Sequence, residues 1–289
     1  MSAVPGSSTA ETAALLRAVG ALLPESGPRN PDVLAARLLP WSPSARALVK
    51  VPGLRLLIRR AVLRKWPAAL WYEVVRTIHL DEVLTAELAT GAAQVVLLGA
   101  GLDSRAHRLR LGDARVFEVD QAPMSAWKRH RARHLPGADI RYLAANLHDD
   151  DLAEALAGGG FEPTARTVVV WSGVTPYLRT EGVEATLRWF ARQAPGSSLV
   201  FDYCWQEALD GTIPEARAAM RDVAARGEPW RWGIPRGRAD DLLTSFGLQL
   251  VEDLEVAEAQ RRYLTRPDGS VQGPVWFFGG FVHARVPAG

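Results

Sequence analysis

The stretch Val95–Leu109 (VVLLGAGLDSRAHRL), followed by VFEVDQ at Val116–Gln121, restricts what this chain can fold into more than any other feature. An apolar run stops at Gly99-Ala100-Gly101, and a helix-compatible segment follows. A second apolar run then ends on Asp120, about twenty positions past the turn, the spacing at which a strand-end acid meets a ribose. Two neighbouring parallel strands need a crossover, so this layout reads as the first β-α-β unit of an α/β sheet. The glycines let a ligand approach the backbone at the carboxyl end of the first strand. A plain turn beside a solvated strand terminus would explain each piece alone, but not strand, turn, helix, strand and acid in series.

The third glycine of a dinucleotide fingerprint is absent: Asp103-Ser104 stands where the helix should begin. Dinucleotides need that glycine for close helix–strand packing beside a pyrophosphate at the helix N-terminus. A carboxylate there repels pyrophosphate and suits an ammonium or sulfonium group. S-adenosyl-L-methionine carries both and has no phosphate, so the charges favour it over NAD.

Short apolar runs alternate with amphipathic segments from Gln94 onward, with strands predicted at Gln94–Leu98, Arg115–Val119, Asp139–Ala144, Thr167–Trp171 and Ser198–Tyr203. Helices are predicted between them at Ser104–Arg110, Pro123–His134, Leu152–Ala157 and Thr180–Gln193. After Tyr203 the alternation stops, and helices at Pro214–Arg226 and Asp240–Phe246 form an insertion around 206–247. Two strand-like runs, Leu248–Val256 and Val275–Val286, close the chain with no helix between them, predicting an antiparallel hairpin on the sheet edge. Upstream, Met1–Ser8 reads as a disordered tail, and helical patterns at Ala13–Leu23, Asp32–Leu39 and Leu54–Leu88 make residues 1–90 a helical cap on the domain formed by 91–289. The expected fold is a mostly parallel, doubly wound Rossmann-like sheet. A net charge of +2 does not argue for nucleic acid, and no apolar run reaches membrane-spanning length. One cysteine, Cys204, excludes an internal disulfide and fits a cytoplasmic protein.

GAGLDSRAHRL, FEVDQ with Lys128 downstream, and VWSGVTPYL (Val170–Leu178) resemble the leucine carboxyl methyltransferase family. The likeness is greatest to its bacterial O-methyltransferases of the tetracenomycin-type polyketide branch. It continues through VVRTIHLDEVL (Val74–Leu84), GEPWRWGI (Gly227–Ile234) and RRYLTRPDG (Arg261–Gly269). The resemblance implies a class I methyltransferase fold, S-adenosyl-L-methionine as cofactor and S-adenosyl-L-homocysteine as product. Carried over by position, it places Arg76 against the methionyl carboxylate, Gly99 and Gly101 beneath the cofactor, Asp103 near its amino end, and Asp120 with Gln121 at the ribose. Asn146-Leu147 falls where the family has Asp-Leu at the adenine, and an asparagine carbonyl still accepts that hydrogen bond. Ser172-Gly173 falls where the family has Glu-Gly near the methionine end, which removes a charge.

Tyr177 is the candidate for positioning an acceptor; it either hydrogen-bonds an acceptor carboxylate or packs under the cap. A carboxylate acceptor needs no general base, whereas a phenol or alcohol does, with His79 the mild candidate. His130 and His134 have helical metal spacing but sit among cations, and a solvated basic face fits them better. Arg59, Arg60, Arg64 and Lys65 read as a snorkelling amphipathic face rather than a membrane contact. Trp205, Trp230, Trp232 and Trp276 are candidates for an aromatic acceptor pocket. The expectation is methyl transfer to a carboxylate or hydroxyl of a small molecule in secondary metabolism, without nucleic-acid or membrane partners, and with a homodimer as an open arrangement. The alternatives are a protein of this fold that binds the cofactor without methylating, a nicotinamide oxidoreductase, and a methyltransferase acting on a protein's C-terminal carboxylate.

Overall fold

Strands such as QVVLL and TVVVW are apolar at every position, which suits a sheet covered on both faces. The computed structural model describes residues 8–40, 51–137 and 139–288. Of the expected tail, only Ser8 falls within the described residues, and it opens the first helix. In chain order the elements are α1 (Ser8–Gly20), α2 (Ala35–Leu38), α3 (Pro52–Lys65), α4 (Pro67–Ala89), β1 (Gln94–Leu98), α5 (Arg105–Arg108), β2 (Arg115–Asp120), α6 (Ala122–Ala132) and β3 (Ile140–Ala144). There follow α7 (Leu152–Gly158), β4 (Thr167–Trp171), a 3-10 turn (Thr175–Tyr177), α8 (Thr180–Phe190), β5 (Ser198–Cys204), α9 (Gln206–Leu209), α10 (Ala216–Ala224), α11 (Ala239–Ser245), β6 (Gln249–Glu255), α12 (Val256–Leu264) and β7 (Gly279–Arg285).

The strands form one sheet in the order β3-β2-β1-β4-β5-β7-β6. β1 to β5 are parallel, and β7 runs antiparallel between β5 and β6. Alternate side chains feed opposite cores. Val96, Leu98, Phe117 and Val169 meet α7, α8 and α11, whereas Val95, Leu97, Val116 and Val170 meet α4 and α12. The last helix of the 1–90 segment, α4, thus helps cover the sheet, while α1 and α2 pack with α6 beside the glycine turn. Strand order reverses between β1 and β4, and the crossovers on either side of that point open a crevice outside the strands' carboxyl ends.

The chain's end differs from the predicted hairpin. The two closing strands do pair antiparallel, but α12 lies between them in sequence and β7 also pairs with β5. The apolar alternation of β6 runs straight into Val256, and the helix behind it buries only Val256, Ala259 and Leu264. So sparse a stripe leaves little helical period to read. The helix expected at Asp32–Leu39 shrinks to α2. Asn30 Oδ1 accepts from the Asp32 N–H at 2.9 Å, and Asp32 Oδ1 from the Leu34 N–H at 3.2 Å, so side chains compete with the first helical turn. Pro40 then holds Leu39 extended (ψ 147°). Among the described residues no helix is long and apolar enough to cross a membrane.

Candidate active site

The glycine turn is fixed from three sides. Gly99 has φ +58°, and a Cβ there would stand 2.4 Å from Val174 Cγ2, so only glycine lets the loop after β4 close over the turn. Asp120 Oδ2 accepts from the Gly101 N–H at 2.6 Å, and Oδ1 from the Gln121 N–H at 2.7 Å. From below, the buried Lys128 ammonium donates to the Ala100 carbonyl at 3.3 Å and lies 2.7 Å from Glu118 of β2. This explains why a lysine belongs with the FEVDQ segment: it ties α6 to the turn. Burial raises the Asp120 carboxyl against the two N–H groups it accepts, and pushes Glu118 up to about 7 in spite of Lys128.

The position of the missing third glycine has a structural use. Ser104 is fully buried and its hydroxyl hydrogen-bonds Asp32, which also pairs with Arg17 of α1 at 2.9 Å. Arg108 Nε donates to Ser104 at 3.2 Å, and Arg105 and Arg108 both bind Asp81 of α4. The serine bolts the glycine turn to the helices above it. Asp103 differs from the sequence expectation. Its two oxygens accept from the Arg105 backbone N–H and guanidinium, so its charge is already balanced, although it lines the crevice. Burial opposes its ionisation, but Arg105 holds its pKa well below the usual carboxylate range. Replacing Ser104 by alanine leaves Asp32 short of a donor and is expected to cost about 1–3 kcal/mol in urea unfolding; unchanged stability would show that the bolt carries no load.

Beside this turn, α4 and β5 build the crevice floor. Arg76 donates through Nη1 to Asp202 Oδ2 at 3.0 Å and through Nη2 to Glu73. Asp202 also accepts from the Tyr72 hydroxyl at 2.9 Å and the Gly173 N–H at 2.6 Å. Gly173 has φ +70°, and a Cβ there would lie 2.6 Å from Arg76 Nη1. Arg76 therefore spends two of its five donors on the protein, leaving others for a ligand carboxylate. Glu73 and Asp202 are not evident from the sequence; Asp202, bonded to the Gly173 N–H, puts a carboxylate beside Ser172, where the expected glutamate is absent. Burial, with Asp202 beside it, raises the Tyr72 phenol well above its ordinary value, so it stays protonated.

These groups surround a cavity of about 590 Å³. Arg76, Gly99, Gly101, Asp103, Asp120, Gln121, Asn146, Leu147, Ser172 and Tyr177 all line it. Asn146 Oδ1 accepts from the His148 N–H at 3.2 Å and keeps one lone pair for a ligand. Burial raises the Tyr177 phenol, making it a donor rather than a base. Of the four candidate tryptophans, Trp230 and Trp276 line the cavity, while Trp205 and Trp232 are buried in the core. Trp66, Tyr72 and Phe278 complete the aromatic wall. The Cys204 thiol, pushed up to about 12 by burial, is unreactive.

His79 lies outside this cavity, buried with Nδ1 3.1 Å from the Tyr263 hydroxyl, and burial pushes its pKa down to about 4. The unfolded chain takes up this proton near pH 6.5 and the folded protein only near pH 4, so the contribution is complete above 6.5 and lost as pH falls to 4. It amounts to about 3 kcal/mol. A His79→Gln variant should therefore show a smaller drop in melting temperature between pH 7 and pH 4.5 than the parent; an identical drop would contradict the assignment. His130 and His134 are exposed and bonded by Arg133, and the described residues contain no His/Cys/Asp/Glu group that could hold a metal ion.

A model of the leucine carboxyl methyltransferase family matches residues 10–191. A protein of Mycobacterium avium, provisionally named an S-adenosyl-L-methionine-dependent methyltransferase, is 30% identical over 249 residues, covering 78% of this chain and 73% of that one. Another of the same provisional name, from Mycobacteroides abscessus, is 36% identical over 168 residues, which is 52% of this chain and little more than half (56%) of that relative's length. The crystal structure of a Thermobifida fusca protein provisionally named a methyltransferase superposes with a TM-score of 0.59 at 19% identity, over 91% of this chain and 97% of that one. The chain belongs to the leucine carboxyl methyltransferase family, and its fold is that of the class I methyltransferases.

Proposed function

We propose that this chain transfers a methyl group from S-adenosyl-L-methionine to an oxygen of a small, flat acceptor, with a carboxylate preferred over a hydroxyl. The observation that carries this reading is the convergence of the glycine turn, Asp120, Arg76 and Tyr177 on one cavity at the strand ends. S-adenosyl-L-methionine supplies an electrophilic methyl: the acceptor oxygen bonds to its carbon, the carbon–sulfur bond breaks with its electron pair going to sulfur, and S-adenosyl-L-homocysteine leaves. On this reading Asp120 accepts the ribose hydroxyls and Asn146 and Leu147 take the adenine, which their shared place on the cavity wall supports. Arg76 offers its remaining donors to the methionyl carboxylate.

Carboxylate preference follows from proton accounting. Asp202, Asp120 and Asp103 already accept hydrogen bonds from the protein, and the Tyr72 and Tyr177 phenols hold their protons. None of these is a ready base for an alcohol; His148, also on the cavity wall and kept neutral by burial, is the group that could serve one, whereas a carboxylate arrives ionised and needs none. Trp66, Trp230 and Trp276 favour a flat acceptor and strip its water, while the Tyr177 hydroxyl orients it. This composition suits the polyketide-like acids of secondary metabolism, and an unpaired buried Cys204 fits a reducing cytoplasm. The missing acid at Ser172 favours a protein that binds the cofactor without methylating; Asp202, bonded to the next residue's N–H, weakens that alternative.

The test is turnover of methyl-labelled S-adenosyl-L-methionine against a broad panel of aromatic carboxylic acids and phenols. Base-labile labelled esters are the expected product. Base-stable ethers alone would overturn the carboxylate preference. Tight binding of S-adenosyl-L-homocysteine with no transfer across the panel would favour the non-methylating protein.

A further inference from the structure

The arginines lining the cavity are paired with carboxylates in every case but one. Arg17 pairs with Asp32, Arg76 with Asp202, Arg179 with Asp149 and Arg226 with Asp222. Arg231 lines the same cavity and is exposed, yet among the described residues no carboxylate holds its guanidinium. Its backbone is nevertheless fixed on both sides. The Arg231 N–H donates to the Pro176 carbonyl at 2.6 Å, which sets it beside Tyr177. The Cys204 thiol donates to the Trp232 carbonyl at 3.2 Å and the Ile234 N–H to the Cys204 carbonyl at 3.0 Å, tying the segment to the end of β5. Trp230, just before it, meets Trp276 edge to face in the aromatic wall, with ring centroids 6.0 Å apart. Burial lowers the pKa of the cavity-lining His148, and the nearby Arg179 and Arg231 charges lower it further, with Asp149 opposing them. An unpaired cation beside a second cation and a neutral histidine leaves a positive potential that an anion would fill.

We propose that Arg231 binds a second carboxylate of the acceptor, so that the preferred substrate is a flat dicarboxylic acid methylated on one of its two acid groups. The inference rests on the methyl-transfer reading above and names the substrate class within it. The reacting carboxylate loses its charge as it becomes an ester. A guanidinium placed on that group would hold the ground state more tightly than the transition state and slow the transfer. A second carboxylate keeps its charge throughout, so its contact with Arg231 is not weakened as the reaction proceeds. The planar guanidinium suits it, because a carboxylate accepts two parallel N–H···O bonds. The product is a monoester that still carries one negative charge. Turned end for end, that monoester would set its neutral ester against Arg231, which disfavours a second methylation.

Methyl transfer to matched acids tests this, with benzoate set against terephthalate and naphthoate against naphthalenedicarboxylate. The diacid of each pair is expected to exceed its monoacid in kcat/KM by about tenfold or more, and its monoester should accumulate. Arg231→Gln should bring that ratio to within about twofold of unity, and Arg231→Lys should keep part of it. Equal kcat/KM for both members of each pair in the unaltered protein would overturn the inference. So would an Arg231→Gln variant that keeps the parent's ratio, whether through unchanged rates or through an equal loss on both acids, which marks a structural role. Transfer to neither series by protein that binds S-adenosyl-L-homocysteine would instead refute the proposed methyl transfer to acids, and the diacid assignment with it.

Discussion

Changing Asp120 to alanine is expected to weaken S-adenosyl-L-homocysteine binding by 100-fold or more and to leave the protein folded. Under the proposed function the carboxylate accepts two ribose hydroxyls, and hydrogen bonds to a charged acceptor contribute about 1.5–3 kcal/mol each. Two of them amount to about 3 kcal/mol at the low end, which is roughly a hundredfold in dissociation constant. The same side chain accepts from the Gly101 N–H at 2.6 Å, so its removal also frees the glycine turn. Asp120→Asn keeps the volume and one acceptor oxygen and should lose less. Stability changes little by comparison, since burial disfavours the charged carboxylate in the folded chain. Calorimetry on both variants measures this directly, and parent-like affinity in Asp120→Ala would remove the ribose assignment.

The second large effect is on stability. Asp202→Ala strips the acceptor from Arg76, from the Tyr72 hydroxyl and from the Gly173 N–H together. Asp202 and Arg76 are both buried, and removing one partner of a buried pair costs about 3–5 kcal/mol because the other charge stays behind. The free energy of urea unfolding should fall by that amount. Methyl transfer should fail even below the unfolding transition, because Gly173 and Tyr72 lose their common anchor. Asp202→Asn, which preserves shape and an acceptor oxygen, should recover part of the stability. A neutral result for Asp202→Ala would mean that Glu73 alone satisfies Arg76.

The parts of this site legible from sequence are those written in local order. β1, its glycines, β2 and Asp120 follow one another at fixed spacing, and an apolar run ending in glycine has few other uses. Glu73 and Asp202 could not be found that way. Arg76 and Asp202 are 126 positions apart, and an aspartate inside SLVFDYC looks like a polar interruption until β5 is laid beside β4. From sequence alone, the absent glycine at Ser104 speaks only to ligand charge. The structure adds a mechanical cause, the hydrogen bond to Asp32, and shows the neighbouring Asp103 charge already spent on Arg105. The tryptophans divide for a similar reason: Trp230 and Trp276 face the cavity and Trp205 and Trp232 do not, and nothing in composition separates the pairs. α12 escaped because its buried face is too sparse to interrupt the strand pattern before it.

Calorimetric titration of the unaltered protein with S-adenosyl-L-homocysteine and, separately, with NAD tests the central claim most directly. Saturable one-to-one binding of the first and none of the second is the predicted result, because the turn lacks the third glycine and Ser104 occupies its place. Binding of NAD with no response to S-adenosyl-L-homocysteine would contradict the account from the glycine turn onward.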